Sequence, residues 1–152
     1  MKIYIGADHN GFDLKKTLGD YLRRGGYDVV DAGDNEKHPN DDFPQFAAAV
    51  VNGMATDESI DVRGVLITSG GQGMAMAANR FKGIRACVGW NQDTVRDARN
   101  DNDSNVLCLP AQSLDFEQVV GIVHAWLMTP FSGAPRYKRR IAMLDELGDF
   151  MG

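Results

Sequence analysis

The run Val62–Thr68, VRGVLIT, constrains the fold more than any other stretch of this chain. It is nearly continuous in apolar and β-branched residues, the pattern of a strand covered on both faces rather than one. Similar short runs recur at Lys2–Ile5, Tyr27–Val30, Ile84–Val88 and Asn105–Leu109. Helical periodicity fills the gaps: Phe12, Leu14, Leu18, Tyr21 and Leu22, stopped by Gly25-Gly26; Phe43–Met54; Gly73–Arg80; Asp93–Arg99; Phe116–Met128; and a last helix over about Arg136–Leu147. Strand and helix alternate, which predicts parallel βαβ units with right-handed crossovers. The expected fold is α/β: a three-layer α/β/α sandwich around a five-stranded parallel sheet. A length of 152 residues with no linker or repeat gives one domain, residues 1–152.

In such sheets ligands sit beyond the carboxyl ends of the strands. That directs attention to three loops: Gly6 to Asn10, Thr68 to Gly73 and the turn after the fourth strand. Gly6-Ala7-Asp8-His9-Asn10-Gly11 places an acid and an imidazole where a helix is about to start. Helix capping accounts for one of Asp8 and Asn10 but not for an adjacent Asp-His pair. Ser69-Gly70-Gly71-Gln72-Gly73 fits neither the dinucleotide fingerprint nor the P-loop. Three glycines in four positions still let main-chain N–H groups converge on an anion. A tight turn alone needs one glycine with positive φ. Near the C-terminus, Arg136 and Arg140 share a helix face and can clamp a phosphate, although spacing alone fits a solvated basic face as well.

Other function classes are disfavoured. Hydrophobic residues make up 43% and charged residues 24%, as in soluble globular proteins, and the net charge of −5 argues against nucleic acid. No run reaches the roughly 18 apolar residues of a membrane span, and the first residues lack a signal-peptide pattern, so the expected location is cytoplasmic. Cys87 and Cys108 lie in apolar runs and read as free thiols. No Cys/His spacing indicates a metal, and no cofactor motif is present. His38 reads as solvated and His124 as structural.

Taken together, IGADHNGFDLK, DDFPQFA, GQGMAMAANRFKGIRA, NDSNVL and the final Arg-x-x-x-Arg resemble the ribose-5-phosphate isomerase B family and its galactose-6-phosphate isomerase relatives. The resemblance spans nearly the whole chain. It implies a Rossmann-like sheet and a metal-independent aldose–ketose isomerase of a phosphorylated sugar working through an enediol(ate). It also implies a homodimer, or a dimer of dimers, whose sites are shared across the interface, with the C-terminal helix packing on a partner subunit. Carried over residue by residue, it makes Asp8, His9, Thr68 and Asp101 catalytic positions. Ser69, Gly70, Gly71, Gly73 and Asn102 would bind substrate, and Arg136 and Arg140 the phosphate.

Several positions depart from that pattern. Thr68 stands where many members carry a catalytic Cys, and Met74 where others carry a Glu base. Gly70 replaces a Thr, Asp101 a ring-opening His, and Gln112 a phosphate-binding Arg. Threonine is too weak an acid to serve as a comparable base. The expectation is that a carboxylate substitutes, Asp101 first and Asp8 second. The alternative is a non-catalytic sugar-phosphate-binding protein.

Overall fold

A computed structural model describes residues 1–148. The element order is β1 (Lys2–Ala7), α1 (Phe12–Arg24), β2 (Asp28–Asp31), α2 (Phe43–Thr56), β3 (Val62–Thr68), α3 (Gln72–Ala78), β4 (Ala86–Val88), α4 (Gln92–Asn102), β5 (Val106–Pro110), α5 (Phe116–Met128) and α6 (Pro135–Leu144). All five strands are parallel, in the order β2-β1-β3-β5-β4. The predicted α/β sandwich is therefore the fold observed.

Because strands alternate their side chains, the sheet feeds two cores. Ile3, Ile5, Val65, Ile67, Leu107 and Leu109 face α1, α4 and α5, with Leu18, Val95 and the fully buried Trp126. Leu66, Val106 and Cys108 face α2 and α3, with Phe46, Val50, Met74 and Ala78. The two thiols are free, and burial pushes both upward from the ordinary cysteine range. No helix among the described residues is long and apolar enough to cross a membrane.

Element ends differ from the sequence expectation where tertiary bonds intervene. The fourth strand begins at Ala86 rather than Ile84, because Ile84 N–H closes a turn onto the Phe81 carbonyl and Arg85 N–H goes to the Asn105 side chain. The helix expected over Asp93–Arg99 is longer, running from an Asn91 cap that accepts from Thr94 N–H to Asp103 in the left-handed region. The last helix ends at Leu144 rather than 147, as its final turns tighten to i+3 bonds from Glu146 and Leu147.

The chain leaves β1 toward β2 on one side and returns to place β3 on the other. The switch point therefore lies between the carboxyl ends of β1 and β3. These are the strands that lead into the Asp-His turn and the glycine loop.

Candidate active site

The first strand ends in a turn that wraps around one carboxylate. Asp8 is 5% exposed, and its Oδ1 accepts from the N–H groups of Asn10 (3.0 Å) and Gly11 (3.2 Å). Its Oδ2 accepts from the Thr68 hydroxyl at 2.7 Å, across the crevice from the end of β3. Asp8 is thus not the side-chain cap of α1, whose N-cap is Gly11. It ties the ends of the two switch-point strands together.

His9 turns the other way, toward the segment that enters α2. Its ring Nδ1 lies 2.7 Å from Asp41 Oδ1, and its main-chain N–H donates to the same oxygen at 3.0 Å. Lys15 anchors the far end of that loop: its buried ammonium donates to Asp31 Oδ1 (3.0 Å) and to the Asp34 carbonyl (2.7 Å). Asp41 was not singled out from the sequence. The only signal was its place in DDFPQFA, because its partner lies 32 residues away.

The glycines beside this cluster serve different needs. Gly71 has φ 74°, a left-handed conformation that opens α3 and disfavours any side chain. Gly73 makes room for the Phe43 ring, which would stand 2.7 Å from an added Cβ. Gly70 has ordinary φ, and an added Cβ there would meet nothing within 4 Å. The protein's own packing therefore does not demand Gly70; it leaves open space beside Asp8 and Thr68. Among the described residues, no acceptor meets the N–H groups of Gly70 or Gly71.

Asp8, His9 and Asp41 are of metal-ligating types, with donor atoms within 4.8 Å of one another. Those atoms are already committed. Asp8 takes three donors, and His9 Nδ1 is bound to Asp41, so the set is arranged as a hydrogen-bond network.

The other expected residues lie elsewhere in the chain. Each helix between two parallel strands runs back from carboxyl end to amino end. Asp101 and Asn102 close α4, an 11-residue helix about 16 Å long. They stand at the amino end of the sheet, opposite Asp8 and Thr68. Asp101 Oδ1 accepts from the Asn100 side chain. Met74 is fully buried in the core beneath the glycine loop.

Arg136 and Arg140 flank the Tyr137 ring, with guanidinium carbons 4.3 and 5.9 Å from its centroid. They are exposed, lack a carboxylate partner among the described residues, and sit on a helix with no buried residue. Helix α6 packs against α4, which flanks the edge strand β4. A cavity of about 920 Å³ lies at this amino end between residues 79–87, the end of α4 and residues 144–148, and includes Arg85 and Asn102. It does not reach the Asp8 network.

Known proteins match this arrangement over nearly its full length. Residues 3–144 match the family model described as Ribose/Galactose Isomerase. Ribose-5-phosphate isomerase B of Mycolicibacterium paratuberculosis is 32% identical over 146 residues, covering 96% of this chain and 91% of that protein. The crystal structure of a ribose 5-phosphate isomerase from Thermotoga maritima superposes with a TM-score of 0.90 at 39% identity, covering 96% and 98% of the two chains. That of ribose-5-phosphate isomerase B from Mycoplasma genitalium with bound ribulose 5-phosphate gives 0.89 at 35% identity, covering 95% and 94%.

Proposed function

The chain belongs to the ribose/galactose isomerase family, and we propose on that premise that it interconverts the aldose and ketose forms of a phosphorylated sugar. The observation that carries the reading is the crevice between β1 and β3. There the acceptor-free amides of Gly70 and Gly71 and the open space at Gly70 adjoin an Asp8–Thr68 bond and a half-buried His9. Isomerisation through an enediol(ate) needs oriented N–H groups for the developing oxyanion and a group that accepts a carbon-bound proton. Ribulose 5-phosphate bound to the Mycoplasma genitalium relative supports a sugar phosphate of about that size. A tetrose or hexose phosphate fits the same chemistry.

Asp101, Asn102, Arg136 and Arg140 belong to this reading only if a second copy presents its amino end to the first copy's glycine loop. The proposed unit is therefore a homodimer, or a pair of dimers, in the cytoplasm. One copy supplies Asp8, His9, Thr68 and the Ser69–Gly73 loop, and the other supplies the phosphate arginines. Unpartnered guanidinium groups on an otherwise uncovered helix are what such sharing requires.

A second reading has its own observation. Thr68 gives its hydroxyl to Asp8, and Met74 is apolar and wholly buried, so neither position that holds a base in relatives offers one here. This favours a protein that binds a sugar phosphate without turning it over. Incubation with phosphotetroses, phosphopentoses and phosphohexoses in deuterium oxide separates the two. Incorporation at C2 of an aldose or C1 of a ketose supports isomerisation. Tight binding with no exchange from any of them supports the second reading.

A further inference from the structure

We infer that His9, held by Asp41, is the base that moves the proton, in place of the carboxylate the sequence pointed to. This rests on the isomerase reading. The argument begins with the tautomer. A carboxylate only accepts hydrogen bonds, so the 2.7 Å contact between His9 Nδ1 and Asp41 Oδ1 places the ring proton on Nδ1. The same oxygen takes the His9 main-chain N–H, which fixes the backbone and the ring against one acceptor. Asp41 is itself 8% exposed at its side chain, so the pair is shielded on that side. In the neutral ring Nε2 is then left with its lone pair, on a side chain that is 29% exposed. The charged groups facing His9 are the Asp8 and Asp41 carboxylates, whose oxygens lie within 4.8 Å of a ring nitrogen.

The competing groups are less suited. Asp8 already takes three donors and bridges β1 to β3; using it as a base would unmake the turn that builds the site. Asp101 would reach the loop only from a second copy, and its Oδ1 already accepts from the Asn100 side chain. Thr68 donates its only hydroxyl proton to Asp8.

The step balances without a co-reactant. His9 Nε2 takes the proton from C2 of the open-chain aldose. The C–H electron pair becomes the C1=C2 double bond, and the carbonyl π pair moves to O1, facing the loop amides. The O2 proton passes to the adjacent O1, and the imidazolium returns its proton to C1, leaving the C2 ketone. Asp41 is a positioning residue: it never meets the sugar, and it sets which nitrogen is basic.

Two measurements test this. The first is ¹⁵N NMR of the His9 ring at about pH 8, above the ordinary imidazole range. Wild type and Asp41→Asn should show the Nδ1–H tautomer, since one amide oxygen can accept both bonds that Oδ1 now takes. Asp41→Ala should drift to Nε2–H. The second is steady-state kinetics, with C2 deuterium exchange, on ribose 5-phosphate or whichever panel sugar wild type turns over. His9→Ala should lose at least a hundredfold in kcat. Asp41→Ala should lose ten- to a hundredfold with KM within threefold, and Asp41→Asn should recover most of that loss. An Nε2–H tautomer in wild type, or a His9→Ala kcat within threefold of wild type, overturns the assignment while leaving the isomerase standing. No turnover of any sugar by wild type overturns the isomerase reading and the base with it.

Discussion

At the carboxyl end of the sheet, Asp8, Thr68, His9 and Asp41 are bonded to one another and to main-chain amides. At the outer edge near the amino end, Arg136 and Arg140 flank Tyr137, have no carboxylate partner among the described residues, and sit on α6, which has no buried residue. One region is finished within a single chain; the other carries charge with no internal counterpart. A preorganised network costs little reorganisation when charge develops during reaction. Exposed guanidinium groups are different. They cost the free subunit nothing in desolvation and gain strength only when a ligand or a second copy excludes water. The contrast is the ground for proposing chemistry in the first region and capture of a charged ligand in the second.

The largest expected effect tests whether the two regions meet across copies. His9→Ala and Arg136→Ala proteins should each be nearly inactive at low substrate. Mixed and allowed to exchange subunits, they should recover up to about a quarter of wild-type activity. Random pairing makes half the dimers mixed, each with one intact site of two. A light-scattering mass of one subunit at micromolar concentration, with no recovery on mixing, would separate the two regions for good.

Next come the arginines alone. Arg136→Ala or Arg140→Ala should raise KM for a phosphosugar more than tenfold with kcat little changed, because a charged hydrogen bond contributes about 1.5–3 kcal/mol. Equal turnover of the unphosphorylated sugar by wild type and both variants would remove the phosphate role.

Within the carboxyl end, the glycines give a sharper pair. Gly73→Ala drives a Cβ into the Phe43 ring and should cost about 1–3 kcal/mol in urea unfolding. Gly70→Ala meets nothing, so stability should stay within about 0.5 kcal/mol of wild type. Its kcat/KM should nonetheless fall at least tenfold if a sugar oxygen occupies that space. Unchanged kcat/KM in Gly70→Ala would move the substrate away from the loop.

Sequence reasoning reached the two regions unequally. The sheet was legible because continuous apolar runs such as VLIT admit few alternatives, and Asp8 and the glycine loop because each follows a strand directly. The Asp41–His9 pair was not, since it joins a loop to a turn 32 residues away and no periodicity records that contact. The same holds for buried Lys15, whose partners come from the turn after β2. Asp101 teaches something else. Its motif was recognised, but its distance from Asp8 follows from topology: a helix between two parallel strands must end at the amino side. Motif matching lists residues without saying which end of the sheet each one occupies.

The smallest predicted effect also lies at the amino end, where one acidic cluster is structural. Asp57, just after α2, accepts from Lys2 Nζ and the Tyr4 hydroxyl, both at 2.7 Å, and from Ser59 N–H at 2.8 Å. Those donors, Lys2 foremost, hold its carboxyl well below the ordinary value of 3.8. A carboxyl depressed on folding stabilises the native state above its unfolded value and loses that contribution as pH falls toward the folded one. Asp57→Asn should therefore melt slightly below wild type at neutral pH. The gap in Tm should close as pH falls below about 4, with catalysis at neutral pH unaffected, since Asp57 lies across the sheet from the Asp8 network. A gap that persists unchanged into acid would show that the aspartate acts through shape rather than charge. A loss of activity at neutral pH would instead show that the two ends of the sheet are coupled.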